Sequence, residues 1–592
     1  MKKILILSGP VWLTLFVMAC STPSSERSEK AINDSLNRVF QRYYDERMAV
    51  FPLEATDNGI DRYNDRLEAD FTDSYREKLR NFYSRHLKAL AAFNLDSLPP
   101  DLRVNALVMR WELETGMESL DFPLNRLPID QFWGLHLKMG QYASGTAAQP
   151  FRSVKDYDDW RKRVEAFSVW TDSAVAYLRK GMTEGIVLPA ALVVKIIPQL
   201  EAMVTDIPDS NLYFSPVKLL PDSLPDKEKQ RITSDYRSMV ASTVVPLHRR
   251  LADFLKKDYL PSARATSGIG SLPGGKDMYR FLVRQWTTTD LSPDSIYEIG
   301  LAEVKKLRTE MEGIRQEVGY KGNLKSFFDY LYEDSKFFPY RSPDEVLNAF
   351  RRIDSVIKPK VSGLFSVLPK TPFEIRRTEA FREASGSAEY IASTDGVKPG
   401  IFYVPVPDAR KFNTSGMESL FLHEAIPGHH FQISLQMENT SLPEFRRHAV
   451  SYNTYVEGWA LYCETLGKEL GLYSDPYQYF TALGEQMLRA VRLVMDVGLH
   501  HKGMTREEAI RFMMDNYPTT MEYAVSETER YMAVPGQALG YRIGVIRIKA
   551  MRDRFRKELG ERFSLTAFHD AFLKMGSMPI GLAEDELART LR

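Results

Sequence analysis

The sequence predicts a mostly α-helical protein that contains one small β-sheet. Apolar residues recur at spacings of three and four in five long segments, the pattern of helices that bury one face. These segments are residues 31–48, 73–93, 101–119, 153–181 and 226–257. Two short runs further along the chain, residues 388–393 and 401–406, are instead rich in β-branched and aromatic residues and predict paired strands.

Length and composition are those of a large globular protein. The chain has 592 residues, of which 44% are hydrophobic and 26% charged. That length is too great for one ordinary core and predicts several domains or one large helical fold. Lysine plus arginine and aspartate plus glutamate both number 78, and the sequence has no long basic run. The charge balance therefore argues against nucleic-acid binding.

Residues 1–19 are predicted to be a lipoprotein signal peptide rather than part of the fold. Lys2 and Lys3 precede an apolar stretch, residues 4–19, that is too short to span a membrane comfortably. The stretch leads into the sequence Val-Met-Ala-Cys, which resembles the lipobox of bacterial lipoproteins. In such proteins the cysteine is lipidated. We therefore expect an exported protein that is anchored to a membrane through Cys20 and faces the periplasm or the cell surface.

Two polar or glycine-rich segments suggest how the chain is divided. Residues 20–30 are rich in serine and charge and are predicted to be a tether. The strongest interior loop signal is residues 267–275, Ser-Gly-Ile-Gly-Ser-Leu-Pro-Gly-Gly. We place a boundary there, between an N-terminal helical region, residues 31–265, and a region with the candidate site, residues 266–592. The same stretch fits equally well as a loop within one helical body.

Two local signals order the middle of the chain. Pro293 suits the first position of a helix, Ser292 can cap that helix, and Asp294 complements the positive end of its dipole. Residues 394–400, Thr-Asp-Gly-Val-Lys-Pro-Gly, form a turn signal between the two strand-like runs. A small sheet is therefore predicted just upstream of a histidine-rich segment.

That segment, residues 423–430, reads His-Glu-Ala-Ile-Pro-Gly-His-His and is the most informative part of the sequence. Three of the ten histidines fall within it. Imidazole nitrogens bind zinc, and a carboxylate such as that of Glu424 beside a zinc site is suited to act as a general base. The segment nearly matches the metallopeptidase signature H-E-x-x-H, but Pro427 stands where the second histidine should be.

The displaced histidines require a break in the helix that leads into His423. In a straight helix His429 would lie about 9 Å along the axis from His423, too far for both to reach one ion at about 2.0–2.1 Å. Proline disrupts helical hydrogen bonds, so a kink at Pro427 and Gly428 can shorten this distance. We therefore predict His423 and His429 as zinc ligands and keep His430 as the alternative to His429.

A third ligand is predicted from residues 452–464, which have helical character. Glu457 and Glu464 are seven positions apart and share one face of such a helix. That face is otherwise apolar, and a carboxylate on a buried face needs a partner such as a metal ion or its histidines. We expect Glu457 to bind the metal and Glu464 to orient a histidine. A solvated helix face is the alternative explanation for two glutamates at this spacing.

Several motifs together resemble the bacterial domain of unknown function 885 family. They are residues 272–291, 395–403, 423–432, 457–464 and 530–541, so the resemblance covers most of the mature chain. That family is similar to gluzincin metallopeptidases, the group that holds thermolysin, angiotensin-converting enzyme and thimet oligopeptidase. The resemblance implies a large helical metallopeptidase-like fold with a small sheet beside the active-site helix. It also implies two histidines and a glutamate as zinc ligands, with Glu424 as the base.

The leading hypothesis is a zinc-dependent metallopeptidase that hydrolyses short peptides. Glu424 would take a proton from the attacking water and pass it to the leaving amine. The oxyanion needs donors besides zinc, and Arg530, Tyr531 and Tyr541 are candidates because they flank a Pro-Gly break. Ordinary packing and surface charge are an equally good explanation for these three residues. Tyr403 and its strand are expected to align an extended substrate by edge pairing.

Two other functions fit the same sequence. One is a non-catalytic helical lipoprotein that binds peptides or glycans and whose metal site is structural or lost. The other is a zinc amidase that hydrolyses a non-peptide or cell-wall amide. The zinc content of the protein and the effect of replacing Glu424 separate an enzyme from a non-catalytic lipoprotein. Digestion of a peptide library with a mass readout separates a peptidase from an amidase.

Overall fold

The computed structural model describes residues 24–379, 383, 387–393 and 398–591. Helices dominate these residues and the strands are few and short, so the predicted mostly α-helical fold is confirmed. The predicted signal peptide and the lipidation site at Cys20 lie outside the described residues. Most of the predicted turn at residues 394–400 lies outside them as well.

Thirteen α-helices precede the sheet in the described part of the chain. They are α1 (Ser24–Val50), α2 (Pro52–Asp57), α3 (Asp73–Leu90), α4 (Pro100–Ser119), α5 (Leu135–Ala143), α6 (Val154–Glu184), α7 (Ala190–Glu201), α8 (Asp226–Met239), α9 (Val245–Phe254), α10 (Gly275–Thr287), α11 (Pro293–Glu317), α12 (Leu324–Glu333) and α13 (Pro343–Val361). The five segments with helical spacing correspond to α1, α3, α4, α6 and the run from α8 to α9, which a π-helical turn at Val240–Val244 makes continuous.

Two helix starts can be compared with their sequence signals. Ser292 caps α11 as predicted, because its hydroxyl accepts a hydrogen bond from the Ser295 N–H and Pro293 occupies the first turn. Helix α1, by contrast, begins at Ser24, inside the segment predicted to be a tether. Glutamate and lysine are good helix formers, so a charged composition does not by itself exclude a helix.

The sheet has three strands, β1 (Phe373–Arg377), β2 (Glu389–Ile391) and β3 (Gly400–Val404), in the order β1-β3-β2. Strands β2 and β3 are the predicted pair and run antiparallel, with Tyr390 opposite Phe402. Strand β1, which the sequence did not reveal, pairs parallel to β3 on its other side. The strand of Tyr403 is therefore central, and both of its edges already form backbone hydrogen bonds.

Nine α-helices follow the sheet in the described residues. They are α14 (Met417–Glu424), α15 (His429–Glu438), α16 (Asn453–Glu464), α17 (Pro476–Val497), α18 (Arg506–Asn516), α19 (Met521–Ala533), α20 (Leu539–Leu559), α21 (Leu565–Lys574) and α22 (Ile580–Thr590). No helix in the described residues combines the length and the apolar character needed to cross a membrane.

The largest hydrophobic core joins the two ends of the chain. Phe40 and Tyr43 of α1 contact the ring of Phe445, which lies between α15 and α16. Tyr455 and Trp459 of α16 stack on Phe572 of α21. The apolar side of α16, the helix that carries Glu457 and Glu464, is thus buried in this core. The boundary between residues 265 and 266 stays a prediction.

Candidate metal centre

The histidine-rich segment forms two helices joined by a four-residue turn. Helix α14 ends at Glu424 and α15 begins at His429, with a cis peptide bond between Ile426 and Pro427. The backbone of Gly428 passes so close to α14 that a Cβ there would lie 1.9 Å from the carbonyl oxygen of His423. A side chain does not fit at that position, and this close approach folds the second helix back towards the first.

The turn is held against the glutamate helix α16. The indole Nε1 of Trp459 donates a hydrogen bond to the carbonyl oxygen of Pro427 at 2.8 Å. The Sγ of Cys463 donates to the same oxygen at 3.3 Å. Because Trp459 and Cys463 are neighbours of Glu457 and Glu464 along α16, these bonds fix both carboxylates next to the turn.

Three side chains converge at this junction: His423, His429 and Glu457. One ligand atom from each lies within 4.8 Å of the other two. Oε2 of Glu457 is 3.5 Å from Nε2 of His423 and 3.6 Å from Nε2 of His429. Tetrahedral ligands at 2.0–2.1 Å from a zinc ion are about 3.3 Å apart, so the residues present fit such an ion.

Glu464 orients the first histidine. Its Oε1 lies 2.8 Å from Nδ1 of His423, which leaves Nε2 directed to the convergence point. Its Oε2 accepts a hydrogen bond from Nε2 of Gln486 at 3.0 Å, and the amide oxygen of Gln486 accepts one from Arg542. A carboxylate behind a ligating histidine fixes the tautomer and the ring orientation. The contact of Glu464 with Nδ1 of His423 has this arrangement, and its role stays a prediction.

The electrostatics of the site favour a cation. Glu457 Oε2 is buried and has no hydrogen-bond partner among the described residues, although a buried carboxylate oxygen needs one. Burial alone would lower the pKa of His423, but the carboxylates of Glu457, 3.5 Å from Nε2, and Glu464, 2.8 Å from Nδ1, outweigh burial and raise that pKa to about 10. The two carboxylates thus create a demand for positive charge at the convergence point.

Glu424 is the last residue of α14 and is 8% exposed. Burial raises the pKa of its carboxyl group above the ordinary value, and the nearby imidazoles of His423 and His429 oppose that rise. The backbone N–H of Tyr390, in strand β2, also faces the Glu424 carboxylate. Strand β2 therefore lies beside the predicted general base.

His430 lies outside the convergence point. Its Nδ1 is 3.0 Å from the hydroxyl of Tyr390 and 3.3 Å from that of Ser434. Its ring packs 4.7 Å from the ring of Phe373 in β1. Of the two alternatives for the second ligand, the structure brings only His429 to His423 and Glu457.

The sequence suggested that a substrate pairs with an edge of the strand that contains Tyr403. This prediction is wrong. Strand β3 is hydrogen-bonded on both sides among the described residues, since β1 occupies one edge and β2 the other. The side chain of Tyr403 interacts with Arg376 across the sheet. A direct contact of that side chain with substrate stays a prediction.

Arg530, Tyr531 and Tyr541 form one cluster, which is organised by Arg492 and Glu527. The hydroxyl of Tyr531 donates to Glu527 at 2.6 Å and accepts from Arg492 at 2.9 Å, so it is fully engaged. The ring of Tyr541 lies 4.8 Å from the guanidinium carbon of Arg492. A role as oxyanion donor stays a prediction for all three residues.

Sequence reasoning missed three contributors to the site. The backbone donor of Tyr390 left no signal, because any residue supplies an N–H. Gln486 and Arg492, however, are polar residues within the apolar helix α17, and a buried polar residue must have a partner. Polar residues within an apolar helical segment could therefore have indicated that α17 supplies partners to buried polar side chains.

Comparison with known proteins finds a protein family and solved structures that the chain resembles. The crystal structure of a "putative lipoprotein" from Colwellia psychrerythraea is 26% identical, covers 94% of this chain and 99% of its own, and gives a TM-score of 0.86. A "putative lipoprotein of unknown function" from Shewanella oneidensis is 19% identical, covers 93% and 99%, and shares the fold with a TM-score of 0.72. The chain matches no curated protein. The model of the family described as "Bacterial protein of unknown function (DUF885)" matches residues 52–587, and the chain therefore belongs to that family.

Proposed function

We propose that the protein is a zinc-dependent metallopeptidase that hydrolyses short peptides. One observation carries the proposal: Nε2 of His423, Nε2 of His429 and Oε2 of Glu457 converge beside the buried carboxylate of Glu424. Two imidazoles and one carboxylate, with a fourth position left open, are a ligand set of catalytic zinc sites. A purely structural zinc site is usually closed by four protein ligands.

Each side chain has a role that its contacts support. A zinc ion held by His423, His429 and Glu457 would supply Lewis acidity towards water and the scissile carbonyl group. Glu424 adjoins the first of these histidines and takes the proton of the attacking water, then passes it to the leaving amine. The N–H of Tyr390 orients the Glu424 carboxylate, and Glu464 keeps His423 in the required tautomer.

The burial of the site supports a short substrate. The side chains of His423, His429 and Glu457 are 9%, 13% and 20% exposed. A short, flexible peptide can bring a peptide bond to such largely covered side chains more readily than a folded protein, which must first unfold locally.

Digestion of a peptide library with a mass-spectrometric readout tests the proposal. We expect the zinc-loaded protein to cleave a subset of short peptides, a chelator to stop cleavage, and added zinc to restore it. Cleavage that is insensitive to the chelator would exclude the mechanism. A fully zinc-loaded protein that cleaves no peptide would favour a binding protein or an amidase with another substrate.

We further infer that the mature protein is an exported lipoprotein. The inference rests on the signal-like residues 1–19, the lipobox-like end at Cys20, and the description of the Colwellia protein as a "putative lipoprotein". The wild-type protein should be found with membranes in a bacterial host, and Cys20→Ser should release it into the soluble exported fraction. Equal membrane association of both proteins would contradict lipidation at Cys20.

A further inference from the structure

Two arginines, one in α17 and one in α19, share one glutamate. Nη2 of Arg492, in α17, donates to Oε2 of Glu527 at 2.9 Å, and Nη2 of Arg530, in α19, donates to the same oxygen at 3.1 Å. Glu527 also accepts a hydrogen bond from the hydroxyl of Tyr531, so most of the acceptor positions of its carboxylate are occupied. The group of Arg492, Arg530 and Glu527, called here the arginine cluster, has one positive charge in excess.

Neighbouring carboxylates offset this excess only in part, through the electrostatic interaction of Asp496 with Arg530. Within the described residues, Glu527 is the only carboxylate in ion-pair contact with Arg492 or Arg530. Glu485 pairs with Arg489 instead. Asp496 accepts hydrogen bonds from the Tyr279 hydroxyl and the Gly536 N–H. A buried charge in excess is costly unless a further group compensates it.

Arg530 is the member of the arginine cluster that has donors to spare. A guanidinium group carries five N–H donors. In Arg530, Nη2 donates one of them to Oε2 of Glu527 and Nε lies 3.0 Å from Oε1, so three donors on Nη1 and Nη2 have no partner among the described residues. Its guanidinium carbon lies 5.5 Å from the ring of Phe132, which is 37% exposed. The exposed ring of Trp133 lies next to Phe132 and near Trp286. Arg530 therefore borders an aromatic surface that a ligand can reach.

Tyr541 connects the arginine cluster with the metal centre. The Tyr541 ring lies over the guanidinium group of Arg492. In α20, Tyr541 is three positions before Gly544, about 4.5 Å along the helix axis. Gly544 crosses α16 at Gly458, where an added Cβ would meet the Gly544 Cα at 2.6 Å. Gly458 directly follows Glu457, so the contact between α20 and α16 links Tyr541 to the helix that carries a candidate metal ligand.

We propose that Arg530, with Arg492 and Tyr541 behind it, binds the free C-terminal carboxylate of a peptide whose scissile bond lies at the metal centre. The proposal rests on the proposed peptidase function and narrows it to an exopeptidase that acts near the C-terminus. A guanidinium group pairs with a carboxylate through two parallel hydrogen bonds, which matches the unused donors of Arg530. The carboxylate would also neutralise the excess charge of the arginine cluster.

The test compares the peptide acetyl-Ala-Ala-Ala-Phe as a free acid and as a C-terminal amide. For the wild-type enzyme we expect kcat/KM to be about 30-fold higher for the acid, the effect of a charge-assisted hydrogen-bonded pair. In Arg530→Gln the ratio of kcat/KM for the acid to kcat/KM for the amide should fall to about 3 or less. Removing Arg530 leaves Arg492 and Glu527 as a matched pair, so the variant should fold, and circular dichroism checks this.

Two further variants sharpen the result. Arg530→Lys keeps the charge but loses the planar fork, and should give an intermediate ratio. Arg250→Gln is the matched control, because Arg250 is an exposed arginine that contacts Ser168 and Asp172 and has no contact with the arginine cluster. Its acid-to-amide ratio should equal that of the wild type. A wild-type ratio near one, or a ratio that Arg530→Gln does not change, would overturn the carboxylate site.

A binding measurement separates this inference from the proposed function. In zinc-loaded Glu424→Gln, tryptophan fluorescence reports binding of the acid and of the amide without turnover. Tighter binding of the acid that is lost when Arg530→Gln is added supports the carboxylate site even if the wild type cleaves neither peptide. Cleavage of both peptides at equal rates, with equal binding, would leave the peptidase proposal standing and refute the carboxylate site.

Discussion

Glu424→Gln is expected to lower kcat for peptide hydrolysis about 1,000-fold while the protein keeps its zinc. Glutamine has nearly the same shape as glutamate but cannot take a proton from water. Because Glu424 is buried and burial raises the pKa of its carboxyl group, a neutral side chain costs the fold little at this position. Steady-state kinetics and metal analysis of the same preparation measure both effects.

Glu418→Gln is the matched control for this substitution. Glu418 lies on the same helix and accepts a hydrogen bond from the Tyr473 N–H, which a glutamine oxygen can also accept. Its kcat should stay within about 3-fold of the wild-type value. Equal kcat values for Glu424→Gln and the wild type would show that Glu424 is not the general base.

His429→Ala is expected to weaken zinc binding by more than about 100-fold. Loss of a residue that only supports a ligand typically costs 10- to 100-fold in metal affinity, so loss of a direct ligand should cost more. Competition with a chromophoric chelator, followed by determination of zinc per chain, measures the effect. His423→Ala should behave in the same way, since the Nε2 atoms of both rings face Glu457.

His430→Ala is the contrasting variant, because it removes an adjacent imidazole that faces Tyr390 and Phe373 instead. It should keep zinc affinity within about 3-fold of the wild type. The zinc affinity of Glu464→Gln should lie between those of His429→Ala and His430→Ala, about 10- to 100-fold below the wild type, because Glu464 acts through His423. Zinc loss in His430→Ala with retention in His429→Ala would reverse the ligand assignment.

Local sequence signals account for the parts of the site that depend on single helices. The proline and glycine at residues 427–428 predicted a break, and the structure ends α14 at Glu424 and begins α15 at His429. The spacing of Glu457 and Glu464 placed both on one face of a helix, and both contact His423. These predictions succeeded because helical periodicity and proline geometry are properties of a few consecutive residues.

Other features depended on residues that are distant in the sequence. Tyr403 lies in β3, and one edge of that strand was expected to pair with a substrate. Strand β1 pairs with that edge instead. Arg492 of α17 and Glu527 of α19 join Arg530, Tyr531 and Tyr541 into one cluster, although no sequence motif links the three helices α17, α19 and α20. Strand order and side-chain partners across helices follow from packing of the whole core, which no local pattern encodes.

By itself, the sequence determined that the protein is mostly helical, that a break follows His423, and that His423, Glu424, Glu457 and Glu464 are candidates for one site. The choice between His429 and His430 came only from the tertiary structure. The physical reason is the turn at residues 425–428. Adjacent residues of a helix point about 100° apart, and the direction of the second helix, set by the approach of Gly428 to His423 and by Trp459, decides which imidazole faces Glu457.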